Sequence, residues 1–147
     1  MGYCLAAVGT EGLPSLLTAL ANPQLPCCEP AAFCLSIGPP FDFGTNAAIA
    51  IPLLAKLVSN TNENLAVSAI KAIGRLHMEP QVAVPALTNA LYSTSLTLRR
   101  EAAESLGRFG NQASCAVPAL RAALTDSSRG VRAVATNAIL EIAPEAL

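Results

Sequence analysis

A chain of 147 residues, 52% of them hydrophobic, carries enough apolar surface to bury the core of a domain, which excludes wholesale disorder. Only 13% of its residues are charged, against roughly 25% in an ordinary soluble domain, the formal net charge is −1, and no basic run occurs, so a nucleic-acid partner is excluded. Prolines and polar residues interrupt every apolar stretch before it reaches the ~18 to 20 residues that span a bilayer, so no membrane partner is expected either.

Taken in chain order, residues 1–12 (MGYCLAAVGTEG) lack the basic flank of a signal peptide and place Ala6 where a myristoylation signal has Ser or Thr. With no targeting signal visible, a cytoplasmic location is the expectation. The segment reads as the tail of a helix running into Pro14. Residues 13–48 then hold an irregular helix pair, with Pro14, Leu16, Ala19 and Leu20 on the first helix and Ala31, Ala32 and Leu35 on the second. Pro26 and Pro30 flank the start of that second helix, which predicts a short or bent one. The stretch GPPFDFGTN, from Gly38 onward, predicts a longer loop to the next unit.

From residue 49 the chain repeats itself at a fixed interval of 33. Pro52, Pro85 and Pro118 keep that spacing, and so do Leu54, Leu87 and Leu120; Val58, Leu91 and Leu124; Ala69, Ala102 and Ala135; Ile73, Leu106 and Ile139. Self-similarity at a fixed period marks a solenoid, here with regular units 49–81, 82–114 and 115–147. Inside 82–114, Val84, Leu87 and Leu91 share one helical face, and Leu98, Ala102, Leu106 and Phe109 share another, so each unit is predicted to hold two amphipathic helices. The repeating proline is expected in the first turn of the first helix, where its missing N–H has no intrahelical acceptor. Polar turns at 59–64, 93–97 and 125–130 are expected to cap the second helix. Both chain ends cut across the repeat, which predicts a piece of a longer array with exposed apolar end faces and self-association through them.

On the second helix, taking 65, 69, 72, 73 and 76 as the buried series leaves Ser68, Lys71 and Arg75 exposed. Glu101, Glu104 and Arg108, then Val134, Asn137 and Glu141, fall at matching places, so stacking would align them into one row. In the irregular unit the matching places hold Phe33 and Ile37, an apolar patch at the head of the row and a candidate anchor for a partner. The row could equally be a solvated face only, and Phe41 and Phe43 of the loop could fold back over the patch.

Reactive constellations are missing. Five cysteines (Cys4, Cys27, Cys28, Cys34 and Cys115) are odd in number and lack CxxC spacing, which fits buried thiols better than disulfides. The adjacent Cys27 and Cys28, at the start of a helix, are expected to be unreactive packing. Phe41-Asp42-Phe43-Gly44 holds the letters of a kinase metal-binding motif without the rest of the kinase set, and His77 is the only histidine. No catalytic, metal or cofactor site is expected.

Asp126 in its turn, the Leu98-Arg99 and Val131-Arg132 pairs opening second helices, and endings such as SLGRFG resemble HEAT repeats, most closely the short HEAT-like type of phycobilisome lyases. The resemblance covers essentially the whole chain. It implies an all-α fold, a right-handed α-solenoid of stacked antiparallel helix pairs with about four repeats forming a single domain 1–147. It also implies that the second helices line the concave side, so that the row of Ser68, Lys71, Arg75, Glu101, Glu104, Arg108, Asn137 and Glu141, headed by Phe33 and Ile37, is the partner surface. Arg99 and Arg132 are then expected to bond across to a neighbouring turn, with Asp126 as acceptor. Asn60 and Thr94, at or near its place in the other units, weaken that ladder.

The implied function is a non-enzymatic scaffold, a module of a longer HEAT-repeat protein, that binds another protein or other domains of the same polypeptide. The alternative is a regulatory or chaperone-like subunit of a lyase acting on a tetrapyrrole-carrying protein. HEAT-like deoxyhypusine hydroxylases need several His-Glu pairs, whereas the sole histidine here precedes Met78. HEAT-like DNA glycosylases need a basic, aromatic groove that nine basic and ten acidic residues without tryptophan do not supply.

Overall fold

Runs of Ala and Leu broken by short Ser, Asn and Thr turns leave the backbone one way to satisfy its own polar groups while burying an apolar stripe, the helix. In the computed structural model, which describes residues 13–37 and 44–146, eight α-helices and no strand occur among the described residues. They are α1 Leu13–Ala21, α2 Cys28–Ile37, α3 Ala50–Leu57, α4 Glu63–Leu76, α5 Pro80–Ala90, α6 Leu96–Arg108, α7 Val117–Ala123 and α8 Arg129–Ile142. Helix α2 has 10 residues where α4 and α8 have 14, the short helix expected where Pro26 and Pro30 flank the start. No described helix is long and apolar enough to cross a membrane.

The turns before the second helices repeat in chemistry rather than in identity. Asn60 Oδ1, Ser93 Oγ and Asp126 Oδ1 each accept the backbone N–H two residues on, from Asn62 at 2.8 Å, Ser95 at 3.2 Å and Ser128 at 2.8 Å. Asn62 and Ser95 then cap α4 and α6 by accepting from the N–H groups of Leu65 and Leu98. Ser128 makes no side-chain cap, so the expected capping holds in two turns of three.

The prolines need one correction. Pro118 is the second residue of α7 and Pro52 the third of α3, both within the first turn, but Pro85 is the sixth residue of α5. Helix α5 starts earlier because Pro80 takes its first position and the residues between stay α-helical. In the other units that stretch is wound as a 3₁₀ segment, Gly44–Ile49 before α3 and Gly110–Ala116 before α7. A helical approach thus precedes the repeating proline each time, and only in α5 does it merge with the helix.

Second helices stack directly, α2 on α4 on α6 on α8, and each packs on the first helix of its own unit. The first helices form a looser outer layer, α1 on α3 and α3 on α5, while α5 meets the 3₁₀ segment before α7. Close approach within the inner stack depends on small residues: a Cβ at Gly74 would lie 2.5 Å from Ser105 Oγ and 2.8 Å from Ser105 Cβ, and one at Gly107 would lie 3.2 Å from Ala138 Cα. Between the layers one apolar cluster runs from Leu16 to Ile142.

Candidate protein-interaction surface

Six members of the predicted row are exposed: Lys71 and Arg75 on α4, Glu104 and Arg108 on α6, and Asn137 and Glu141 on α8. Ser68 and Glu101 are not, with 8% and 6% of their surface accessible, and Val134 is half-buried. One apolar stripe describes a helix with one neighbour, whereas α4 is flanked by α2, α3 and α6. Its buried set therefore widens to Leu65, Ala66, Ser68, Ala69, Ile70, Ala72, Ile73 and Gly74, leaving a narrow exposed strip, while Leu76 is only partly covered.

Buried Glu101 is held by cations on both sides. Its carboxylate accepts from Arg100 at 2.9 Å and pairs with Lys71 of the neighbouring helix at 3.8 Å, its side chain 8% exposed against 46% for Lys71. One turn along, Arg108 donates to Glu104 at 2.7 Å, an exposed i,i+4 pair. Hydroxyls complete the inside of the stack: Ser105 donates to the carbonyl of Ile70 across α4 and α6 at 3.2 Å, and Ser36 to its own helix at Phe33.

At the head of the row Phe33 is 48% exposed. It stands over a cleft of about 300 Å³ between α2 and α4, with Glu29 at one end and Lys71 at the other. The side chain of Ile37 and the loop residues Phe41 and Phe43 lie outside the described residues.

Arg99 does bond across to the next turn. Its Nε donates to Asp126 Oδ2 at 2.7 Å and its Nη2 to Oδ1 at 3.1 Å, while Nη1 holds the carbonyls of Ser93 and Thr94 in its own turn. The Arg99 guanidinium, with help from the Ser128 N–H, keeps the Asp126 carboxyl below the usual aspartate range, and the carboxylate raises Arg99 in return. Arg132 repeats the inner half of this clamp on the carbonyls of Asp126 and Ser127. Two cross-unit links escaped the sequence reading: Asn62 donates to Glu29 at 3.4 Å and Ser95 to Glu63 at 2.5 Å. The available signal was that each partner pair sits 33 or 32 residues apart.

One backbone feature had no counterpart in the sequence analysis, and one expectation there changes. His77 and Glu79 adopt left-handed backbone, at φ of 50° and 49°. His77 closes α4 at the place Gly110 holds one unit later, its ring edge-on to Phe109 at 5.6 Å. Partial burial there, and then Arg108, lower its pKa. Among the cysteines, Cys28 and Cys34 are buried but Cys27 and Cys115 are exposed, because Cys27 falls on the turn before α2 and Cys115 on the 3₁₀ segment before α7 rather than on a buried stripe. Burial first, then the neighbouring Cys27, raises the Cys28 thiol. Among the described residues no group of three or more His, Cys, Asp and Glu could hold a metal ion.

Comparison with solved structures returns repeat architectures. An engineered protein is similar with a TM-score of 0.66 at 21% identity over 94% of this chain and 68% of its own. A designed armadillo repeat protein in complex with the peptide (KR)4 is similar with a TM-score of 0.68 at 16% identity, over 94% of this chain and 71% of its own. A third, also engineered, gives 0.65 at 22% identity, this chain spanning 41% of it. At these identities the likeness is one of fold. Among curated proteins none matches this chain. Residues 45–142, which hold α3 to α8 and the turn chemistry described above, match the family of HEAT repeats; the chain belongs to the HEAT-repeat family.

Proposed function

We propose that this chain is a non-enzymatic scaffold that holds another protein, or another part of a longer polypeptide, against its inner layer of second helices. The observation that carries the reading is the aligned row of exposed polar side chains on three successive second helices, Lys71 and Arg75, Glu104 and Arg108, Asn137 and Glu141, headed by exposed Phe33. The designed armadillo neighbour holds a basic peptide; the cationic α4 and α6 strip here supports a partner of different charge. Ser68 and Glu101, buried beneath the row, belong to this surface as supports.

A photo-crosslinking side chain placed at Glu104 or Asn137, and separately at Lys56 or Ala122 on the outer helices, tests it in an extract of the source cells. The expected result is a discrete partner linked from the inner positions only. Linkage from the outer positions alone, or none, overturns the reading. Titration with a bilin belongs in the same experiment, since a shifted bilin absorbance would replace the scaffold by a tetrapyrrole-presenting subunit.

A further inference from the structure

We propose that the cleft between α2 and α4 anchors an extended partner segment that places one apolar side chain against Phe33 and the acidic residues after it against Lys71. This deepens the scaffold reading and rests on it. Three observations meet at the cleft. The first is shape: at about 300 Å³ it lies at the bottom of the range that holds small ligands, ~300 to 1,000 Å³, and suits a single inserted side chain. Ser36 and Ser68, buried small residues on the two facing helices, line it.

The second is chemistry. Phe33 is 48% exposed at the place where the regular units carry Lys71, Glu104 and Asn137, and half-buried Val67 of α4 lines the same cleft. A half-exposed phenyl beside a concavity offers an incoming apolar group contact with little loss of hydration elsewhere.

The third is charge. At the Lys71 end, α4 and α6 bring three cations, Lys71, Arg100 and Arg108, to two carboxylates, Glu101 and Glu104. Glu101 is buried between Lys71 and Arg100, and Glu104 is engaged by Arg108, so a local cationic excess faces solvent on a chain whose net charge is −1. Glu29 closes the opposite end of the cleft. An acidic group is therefore favoured at one end and repelled at the other, which gives the bound segment a direction.

The test uses the full chain and a fluorescein-labelled peptide with one leucine followed by two glutamates in a Gly/Ser frame, read by anisotropy. Saturable binding is expected, weakened about tenfold by Phe33→Ser and about tenfold by Lys71→Glu, while Lys56→Glu on the outer layer changes nothing. Replacing the peptide's glutamates by lysines should abolish binding to the wild type and restore it to the Lys71→Glu variant. Lys71→Ala, which adds no carboxylate beside Glu101, repeats the charge arm if the Lys71→Glu variant loses its helical circular dichroism. The proposal falls if the peptide does not saturate, if the lysine peptide binds the wild type equally, or if Phe33→Ser leaves affinity unchanged. It also falls if peptide binds only after Phe41→Ser and Phe43→Ser, because the cleft would then seat the chain's own loop. In each of those cases a partner still crosslinked at Glu104 leaves the scaffold reading standing.

Discussion

Glycine inside a helix normally invites replacement by alanine, which recovers about 1 kcal/mol of helix propensity. Gly74 should behave in the opposite way, because its missing Cβ is the space taken by Ser105 of the next helix, at 2.5 to 2.8 Å. Overpacking of that kind costs about 1 to 3 kcal/mol, so Gly74→Ala is expected to lose about 1 kcal/mol net in urea unfolding. A Cβ at Gly107 would displace the carboxylate end of the flexible Glu141 side chain and meet Ala138 Cα at 3.2 Å, so Gly107→Ala should lose less. Gly130 has only Ser128 Oγ at 3.6 Å, so Gly130→Ala should gain about 0.5 kcal/mol. The other residue-scale contact with a definite sign is the Arg99 pair with Asp126, whose side chains are 16% and 11% exposed. A double-mutant cycle should find a coupling of about 1 kcal/mol. Because folding lowers the Asp126 pKa, that coupling is complete above the unfolded aspartate value of about 3.9 and is lost as pH falls through the folded one. The urea midpoints of wild type and Asp126→Asn should therefore converge on acidification and stay apart at neutral pH. The partnership of Arg99 with Asp126 was legible through the resemblance to HEAT repeats, with Arg99 and Arg132 standing at matching places 33 residues apart. The shared role of Asn60, Ser93 and Asp126 was not, since three different side chains perform one acceptor function.

At the scale of the element, Pro85 of α5 and Pro118 of α7 make a controlled comparison. Pro118 occupies the second position of its helix, where no intrahelical bond is lost, so Pro118→Ala should be neutral or lose about 0.5 kcal/mol through the freer unfolded chain. Pro85 stands six residues into α5 and denies the Gln81 carbonyl its donor, so Pro85→Ala should gain about 1 kcal/mol. At roughly 2 to 4 °C per kcal/mol for a chain of this size, thermal melts separate the two outcomes. The periodicity located both helices, but apolar spacing gives no start position, and the sequence from Pro80 to Val84 is helix-competent where its counterparts prefer 3₁₀ turns. The same limit explains Ser68 and Glu101. A stripe drawn from one unit cannot show that a second helix is also clasped from both sides by its counterparts, and those lateral contacts are what bury the two residues.

Across the whole molecule the inner stack decides how the repeats cooperate. Stability of a repeat array divides into the stability of each unit and the coupling between neighbours. Here consecutive second helices pack more extensively on one another than on the first helices of their own units, and the cluster from Leu16 to Ile142 is continuous. Coupling should therefore dominate, and no unit should melt alone. Leu106 lies at the centre of that cluster with none of its surface exposed, so Leu106→Ala should cost about 2 to 5 kcal/mol. In a Tyr3→Phe background, Tyr92 remains the one intrinsic tyrosine probe and reports on residues 82–114, while circular dichroism reports on all helices. With strong coupling the two urea curves coincide in the parent and shift together in the Leu106→Ala variant. If tyrosine emission moves to lower urea while the helical signal stays behind, the units unfold separately, and the inner stack contributes less than its packing implies.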